Sequence, residues 1–211
     1  MISAAEILQG GNPHHSWAGR YPTRSGEVID LHNPESLVVR MSDIAYGLGY
    51  QYRYGGHINP AITVAEHSIL VSDIAVCLWG ERWAVPAFLH DCCEAYGHDI
   101  RLPIKRNIWW GIHRETAVKW NDLEDRITDR VYTSLGLDPK LAHAPEVRAA
   151  DVLACVLEKS QSVNFADQDW GLPPLPAAIQ HMLVKSMSPE HAVWRFCERW
   201  QQFGLPLVGT V

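Results

Sequence analysis

A histidine and an aspartate stand side by side, His90-Asp91, in the otherwise largely apolar and helix-prone run from Ala87 to Tyr96. A polar pair in such a run points into a protein interior, where an imidazole and a carboxylate cannot be left unsatisfied. A divalent cation would satisfy both, because imidazole nitrogen and carboxylate oxygen are good ligands for first-row metals. An ion-paired or hydrogen-bonded dyad without metal would satisfy them as well, and for an isolated His-Asp dipeptide it is the default.

The chain of 211 residues, 47% hydrophobic, is large enough for one core, with one domain as the default. The net charge of −6 offers no basic footprint for a nucleic-acid polymer, although a metal and a few local cations could hold a small phosphorylated ligand. The start, Met1-Ile2-Ser3-Ala4-Ala5-Glu6, lacks the pattern of a signal peptide, and no apolar run approaches the roughly 18 residues that span a bilayer. The cysteines at 77, 92, 93, 155 and 197 form no CxxC and read as reduced core thiols, so a cytoplasmic protein with no membrane partner is expected.

Periodicity and punctuation predict an all-α fold with a small β element near the N-terminus. Residues 1–24 read as an irregular arm, and Ser25 to Leu31 as a short strand or hairpin. Helices are expected from Ser42, over 60–79, over 83–96, over 115–135, from Pro145, and from Ser188 through Phe203. Tyr54-Gly55-Gly56-His57 and the stretch from Gly97 to Pro103 read as loops. Ile108-Trp109-Trp110, in a loop or short helix, forms an apolar cluster of the kind that plugs a core or makes an interface or pocket wall.

Three further positions turn the pair into a constellation. His67 has Val64, Leu70 and Val71 as helical neighbours and so faces a core. Asp151 lies beside the stripe Val147, Ala150, Ala154 and Leu157, too deep in its helix to serve as a cap, and needs a counter-charge. Together His67, His90, Asp91 and Asp151 supply two nitrogens and two oxygens, a set that suits Zn, Mn, Fe, Co or Ni and leaves room for water or phosphate. A bound divalent ion lowers the pKa of its water from about 15.7 toward about 7. Glu94 follows Asp91 by three positions and His90 by four, on the same helix face, where it could handle a proton without being a ligand; a solvent-facing acid is the alternative. Asp99 could orient a water or read a sugar hydroxyl, or simply serve the turn.

The motifs Glu66-His67-Ser68, His90-Asp91 with Glu94, then Asp99, Pro103 with Lys105, and Ala150-Asp151 resemble the HD-domain metal-dependent phosphohydrolases. The similarity is strongest to the compact 5′-deoxynucleotidases and the phage-type dATP triphosphohydrolases, the latter through Arg53-Tyr54-Gly55-Gly56-His57. The resemblance implies a helical HD core over about 25–165, flanked by the N-terminal arm, 1–24, and a C-terminal helical extension, 166–211. It implies His67, His90, Asp91 and Asp151 as ligands of one divalent ion, with Mg added to the metals named above. Glu94 would be the catalytic acid/base, with Asp99 contacting water or the sugar. Arg53, Tyr54, His57 and Lys105 would contact substrate, and the protein would form a homodimer or larger homo-oligomer. The implied activity is phosphohydrolysis of nucleotides, foremost (deoxy)nucleoside 5′-monophosphates. Release of tripolyphosphate from a (d)NTP is the alternative, and a non-catalytic nucleotide-binding module is the rival from another class.

Overall fold

In the computed structural model, which describes residues 19–111 and 114–209, the molecule is organised around a helix that is buried along most of its length. This helix, α2 (Val64–Trp79), follows α1 (Met41–Gly49) and precedes α3 (Ala84–Leu89) and the one-turn helices α4 (Glu94–Gly97) and α5 (Leu102–Lys105). The longer α6 (Trp120–Ser134), α7 (Pro145–Ser160) and α8 (Pro189–Gln202) complete the α-helices of the described residues. Val64, Ala65 and Ile69 of α2 join a core with Ile44, Phe88, Leu123 and Phe196. Val71, Ile74 and Ala75, further along α2, pack with Val147, Ala150 and Leu157 of α7 in a second cluster. From Val64 to Ile69 every residue of α2 is buried, so the polar residues Glu66, His67 and Ser68 must find partners inside. No helix of the described residues is long and apolar enough to cross a membrane.

Helix α2 starts at Val64 rather than at residue 60, because Thr63 caps it. The Thr63 hydroxyl accepts from the Glu66 amide at 3.2 Å, and the Glu66 carboxylate accepts from the Thr63 amide and hydroxyl, each at 2.8 Å. Two otherwise unpaired donors are satisfied in this reciprocal box. Pro145 and Ser188-Pro189 open α7 and α8 at the predicted places, with the Ser188 hydroxyl accepting from the His191 amide.

Three expectations are corrected. The continuous helix over 83–96 is broken between α3 and α4. In an α-helix the Pro86 and Ala87 carbonyls would accept from the amides of His90 and Asp91. Here they accept instead from the Tyr132 hydroxyl and from His90 Nδ1, both at 2.8 Å. The chain tightens to three-residue hydrogen bonds, Cys92 to Leu89 and Glu94 to Asp91. A second small sheet pairs β3 (Trp109–Trp110) with β4 (Val118–Lys119), so the fold is mostly helical with two two-stranded sheets and α6 begins five residues later than expected. Two-residue strands are too short to show an alternating period. The first sheet pairs β1 (Arg20–Pro22) with β2 (Val28–Asp30), so the end of the predicted arm is already ordered as a strand; residues 1–18 lie outside the described part. The Tyr21 hydroxyl of this hairpin donates to the Tyr96 carbonyl, tying it to α4.

Because Thr63 is fully buried and its hydroxyl serves both sides of the cap, Thr63→Ala is expected to destabilise the fold by about 1–2 kcal/mol. Thermal unfolding monitored by circular dichroism checks this: a midpoint drop of roughly 2–4 °C per kcal/mol is expected.

Candidate metal centre

The break between α3 and α4 has a geometrical consequence. Adjacent residues on a regular helix point about 100° apart; in the tightened turn, His90 and Asp91 converge. His90 Nε2 lies 3.1 Å from Asp91 Oδ2. From α2, His67 Nε2 reaches to 3.6 Å from the same oxygen and 3.1 Å from Asp151 Oδ1 on α7. His90 Nε2 is 3.8 Å from Asp151 Oδ1. The donor atoms of His67, His90 and Asp151 lie within 4.8 Å of one another, a group that could hold a metal ion, and Asp91 stands beside them.

The donor set fits a cation. His67 Nε2 and His90 Nε2 are both buried without a hydrogen-bond partner. Ligands held at about 2.1 Å from one ion, at right or tetrahedral angles, stand roughly 3.0–3.4 Å apart, close to the shorter separations here. Each imidazole is oriented from behind. His67 Nδ1 is 2.6 Å from Glu158 Oε1, and His90 Nδ1 donates to the Ala87 carbonyl. With the Nδ1 protons directed outward, both Nε2 atoms face the centre, and their lone pairs become available to an ion once the Nε2 protons leave. Glu158 was not anticipated from the sequence, although it lies seven residues after Asp151, two turns along the same face of α7, with Cys155 between them.

Electrostatics reinforce this arrangement. Burial opposes charge on His90, yet Asp91 and Asp151 hold its imidazolium well above the ordinary range. His67 is raised too: burial and Arg53 oppose its charge, and Glu158 and Asp151 outweigh them. Burial would raise Asp91, but the charge of His90, 3.1 Å away, pulls it down to about 2. A cation entering the centre must therefore displace imidazole protons.

Glu94 opens α4 and is 5% exposed. Burial, followed by the neighbouring charges of Asp91 and Asp99, pushes its carboxyl well above the usual range. Its Oε2 is buried and unpartnered, while Oε1 is 3.7 Å from Lys105 Nζ. Lys105 is itself held at 2.8 Å by Glu124, which also accepts from the Trp120 indole. Gln51 locks this region: its amide donates to the Gly47 and Glu94 carbonyls, and its oxygen accepts from the Asp99 amide. A Cβ at Gly47 would come within 2.8 Å of Ala95 backbone, so glycine permits this close crossing of α1 and α4. Between Glu94 and Asp99, His98 has φ 67° and ψ 149°, a region that costs a non-glycine residue about 1–3 kcal/mol.

These groups open on a cavity of about 660 Å³, within the range of small-ligand sites. Its lining includes Asp91, Asp151, Glu94, Asp99, Lys105, Arg53 and Tyr54, bringing together these sequence-predicted residues. Arg53 is buried, 3.7 Å from Asp91 and 3.5 Å from Glu158, and remains cationic despite burial because the surrounding acids, Glu158 foremost, favour its charge. Tyr54 adopts the left-handed conformation, φ 56°, and donates its hydroxyl to Glu158 Oε2 at 2.7 Å. His67 and His90 lie deeper, behind the lining. His57 is exposed and does not line the cavity; its carbonyl accepts from the Asn164 amide instead. Trp109 and Trp110 do not line it either: Trp110 packs edge-on against Trp120, and Trp109 is exposed. Arg101 lines it without having been predicted, and Trp170 and Leu172 of the C-terminal extension, a region whose sequence could shape or cover a pocket, line it too.

Two bacterial proteins are similar to this chain over most of its length. One, from Rhodobacter capsulatus, is 32% identical over 187 residues, covering 83% of this chain and 90% of the relative. The chain belongs to the family of this uncharacterized protein. The uncharacterized protein YfdR of Escherichia coli K12 is 26% identical over 171 residues, covering 81% of this chain and 86% of YfdR. No model of a known protein family matches.

Two outcomes are expected of the centre. Uptake of Mn²⁺ or Co²⁺ should release protons and strengthen as pH rises through and beyond 6.5, the ordinary histidine value, because neutral imidazoles must replace stabilised imidazolium ions. Calorimetric titrations in buffers of different ionisation heats measure this release. Glu158→Gln should weaken metal affinity by roughly 10- to 100-fold through loss of the charged group orienting His67, as read from the same titrations.

Proposed function

We propose that the protein is a metal-dependent phosphohydrolase of nucleotides, acting foremost on (deoxy)nucleoside 5′-monophosphates. The observation that carries this reading is the meeting of His67, His90 and Asp151, with Asp91 beside them, next to the buried Glu94 with its unpartnered oxygen, along one cavity. The sequence resemblance to HD-domain phosphohydrolases supports it, since the same residues carry that likeness. A closed structural site would more commonly use cysteine ligands.

His67, His90, Asp91 and Asp151 would hold the ion. When bound, a divalent ion polarises a phosphoryl oxygen and makes water more acidic. Glu94 is placed to accept the proton of an attacking water at Oε2, its unpartnered oxygen, and to pass it on toward the leaving group. Burial, with Asp91 and Asp99, raises its pKa and makes it a stronger base than an ordinary surface glutamate. Arg53 brings a permanent charge to the phosphate, and Lys105, pinned by Glu124, adds a second. Asp99, anchored through Gln51, is available to a water or a sugar hydroxyl.

A triphosphohydrolase is the second reading. Arg101 favours it: this exposed cation lies at the cavity against Gly55 and, among the described residues, has no carboxylate partner. It could take phosphates beyond the first. Assays with Mn²⁺ or Co²⁺ over a panel of nucleoside mono- and triphosphates separate the two, with free phosphate from monophosphates expected and tripolyphosphate from a triphosphate as the alternative product.

Glu94→Gln should retain the metal and fold while turnover falls by about 10²–10⁴. Turnover unchanged in this variant would remove the proposed role of Glu94, and absence of any release by metal-loaded wild type would favour a binding module. The substitution should also raise the unfolding temperature at pH 8. Burial disfavours the ionised carboxylate, a cost present above the unfolded pKa, so the difference from wild type should vanish as pH falls below about 4, where both side chains are neutral.

A further inference from the structure

Beyond the charged groups, the cavity has a second, apolar half. Ile100, Leu102, Pro103, Leu172 and Trp170 line it together with the carboxylates and cations. Phosphate or a sugar phosphate has no use for such surface; a ligand joining a flat apolar group to an anion does. Trp170 comes from the irregular chain between α7 and the turn at Ala177–Ile179, yet its position is well specified. Its ring leans on Tyr54 and Phe165, with centroids 5.7 and 5.2 Å away, and its indole nitrogen donates to Gln168 at 3.0 Å. The start of this segment is clamped to the loop that follows Tyr54: Asn164 donates to the His57 carbonyl and accepts from the Asn59 amide, while the Val163 amide donates to the Asn59 carbonyl. Trp170 nevertheless keeps 36% of its surface exposed, although large aromatic side chains usually bury more.

We propose that Trp170, backed by Tyr54 and Phe165, is the platform on which the base of a nucleotide stacks, making it a specificity-determining residue for base-bearing over base-free phosphoesters. This inference rests on the phosphohydrolase reading and deepens it. Stacking tolerates any base, because each has a π-face, so the platform selects nucleotides as a class. Tyr54 joins the two halves of the site: its ring supports Trp170, and its hydroxyl holds the glutamate that orients His67.

The test compares dAMP with 2-deoxyribose 5-phosphate, which lacks only the base. In the Mn²⁺-loaded wild type, kcat/KM should favour dAMP. Trp170→Ala should lower the ratio of the two kcat/KM values at least fivefold, chiefly through the KM for dAMP, and Trp170→Phe should keep most of it. An equal loss on both substrates would assign Trp170 to the wall alone and overturn the proposal, as would a wild type without preference. If the wild type hydrolyses neither, the phosphohydrolase reading fails separately, and calorimetric binding of the same two compounds decides the platform. Tighter dAMP binding that is lost in Trp170→Ala supports it; equal or absent binding overturns it.

Discussion

The buried contact between His67 Nδ1 and Glu158, 2.6 Å long, is the interaction on which the centre depends. It crosses from α2 to α7, the helices that also pack through the second apolar cluster. The two residues are fully buried or nearly so, and neither would be tolerated there alone. Together they satisfy each other and turn His67 Nε2 toward Asp151. The same carboxylate takes the Tyr54 hydroxyl and faces Arg53, so one glutamate organises a ligand, a strained loop and a cation.

Beside the centre, a comparable logic applies to acids that are not balanced as fully. Glu94, Asp99 and Asp91 are crowded at one wall, with Arg53 and Lys105 offsetting part of their charge. Gln51 holds the backbone on either side of His98, where the conformation is one that glycine prefers. Crowded acids and disfavoured dihedrals both lower stability, and they persist because rigid packing surrounds them. Their concentration beside the cavity separates this wall from the apolar contacts elsewhere along α2.

Much of this was legible in the chain because it follows from local patterning. Helices α7 and α8 begin where Pro145 and Ser188-Pro189 require, and His67 sits in a run too apolar to be solvent-facing. Other features had no local signal. At the break before Glu94, the Pro86 carbonyl accepts from the hydroxyl of Tyr132, 46 residues away. The Trp109–Trp110 strand exists only through its pairing with β4. Glu158 could have been found from its two-turn spacing after Asp151, but nothing local assigns it to His67, 91 residues away.

By itself, the amino-acid order determined the helical class, the caps and stops, and which polar residues had to lie among apolar neighbours, because hydrophobic period and capping chemistry act over a few residues. Tertiary structure alone decided that His67 of α2, His90 of the α3–α4 turn and Asp151 of α7 come together with Asp91 beside them, that Lys105 is held by Glu124, and that Trp170 returns to the cavity. Those relations depend on how helices cross and on which distant group reaches a buried polar atom first, and no spacing along the chain encodes either.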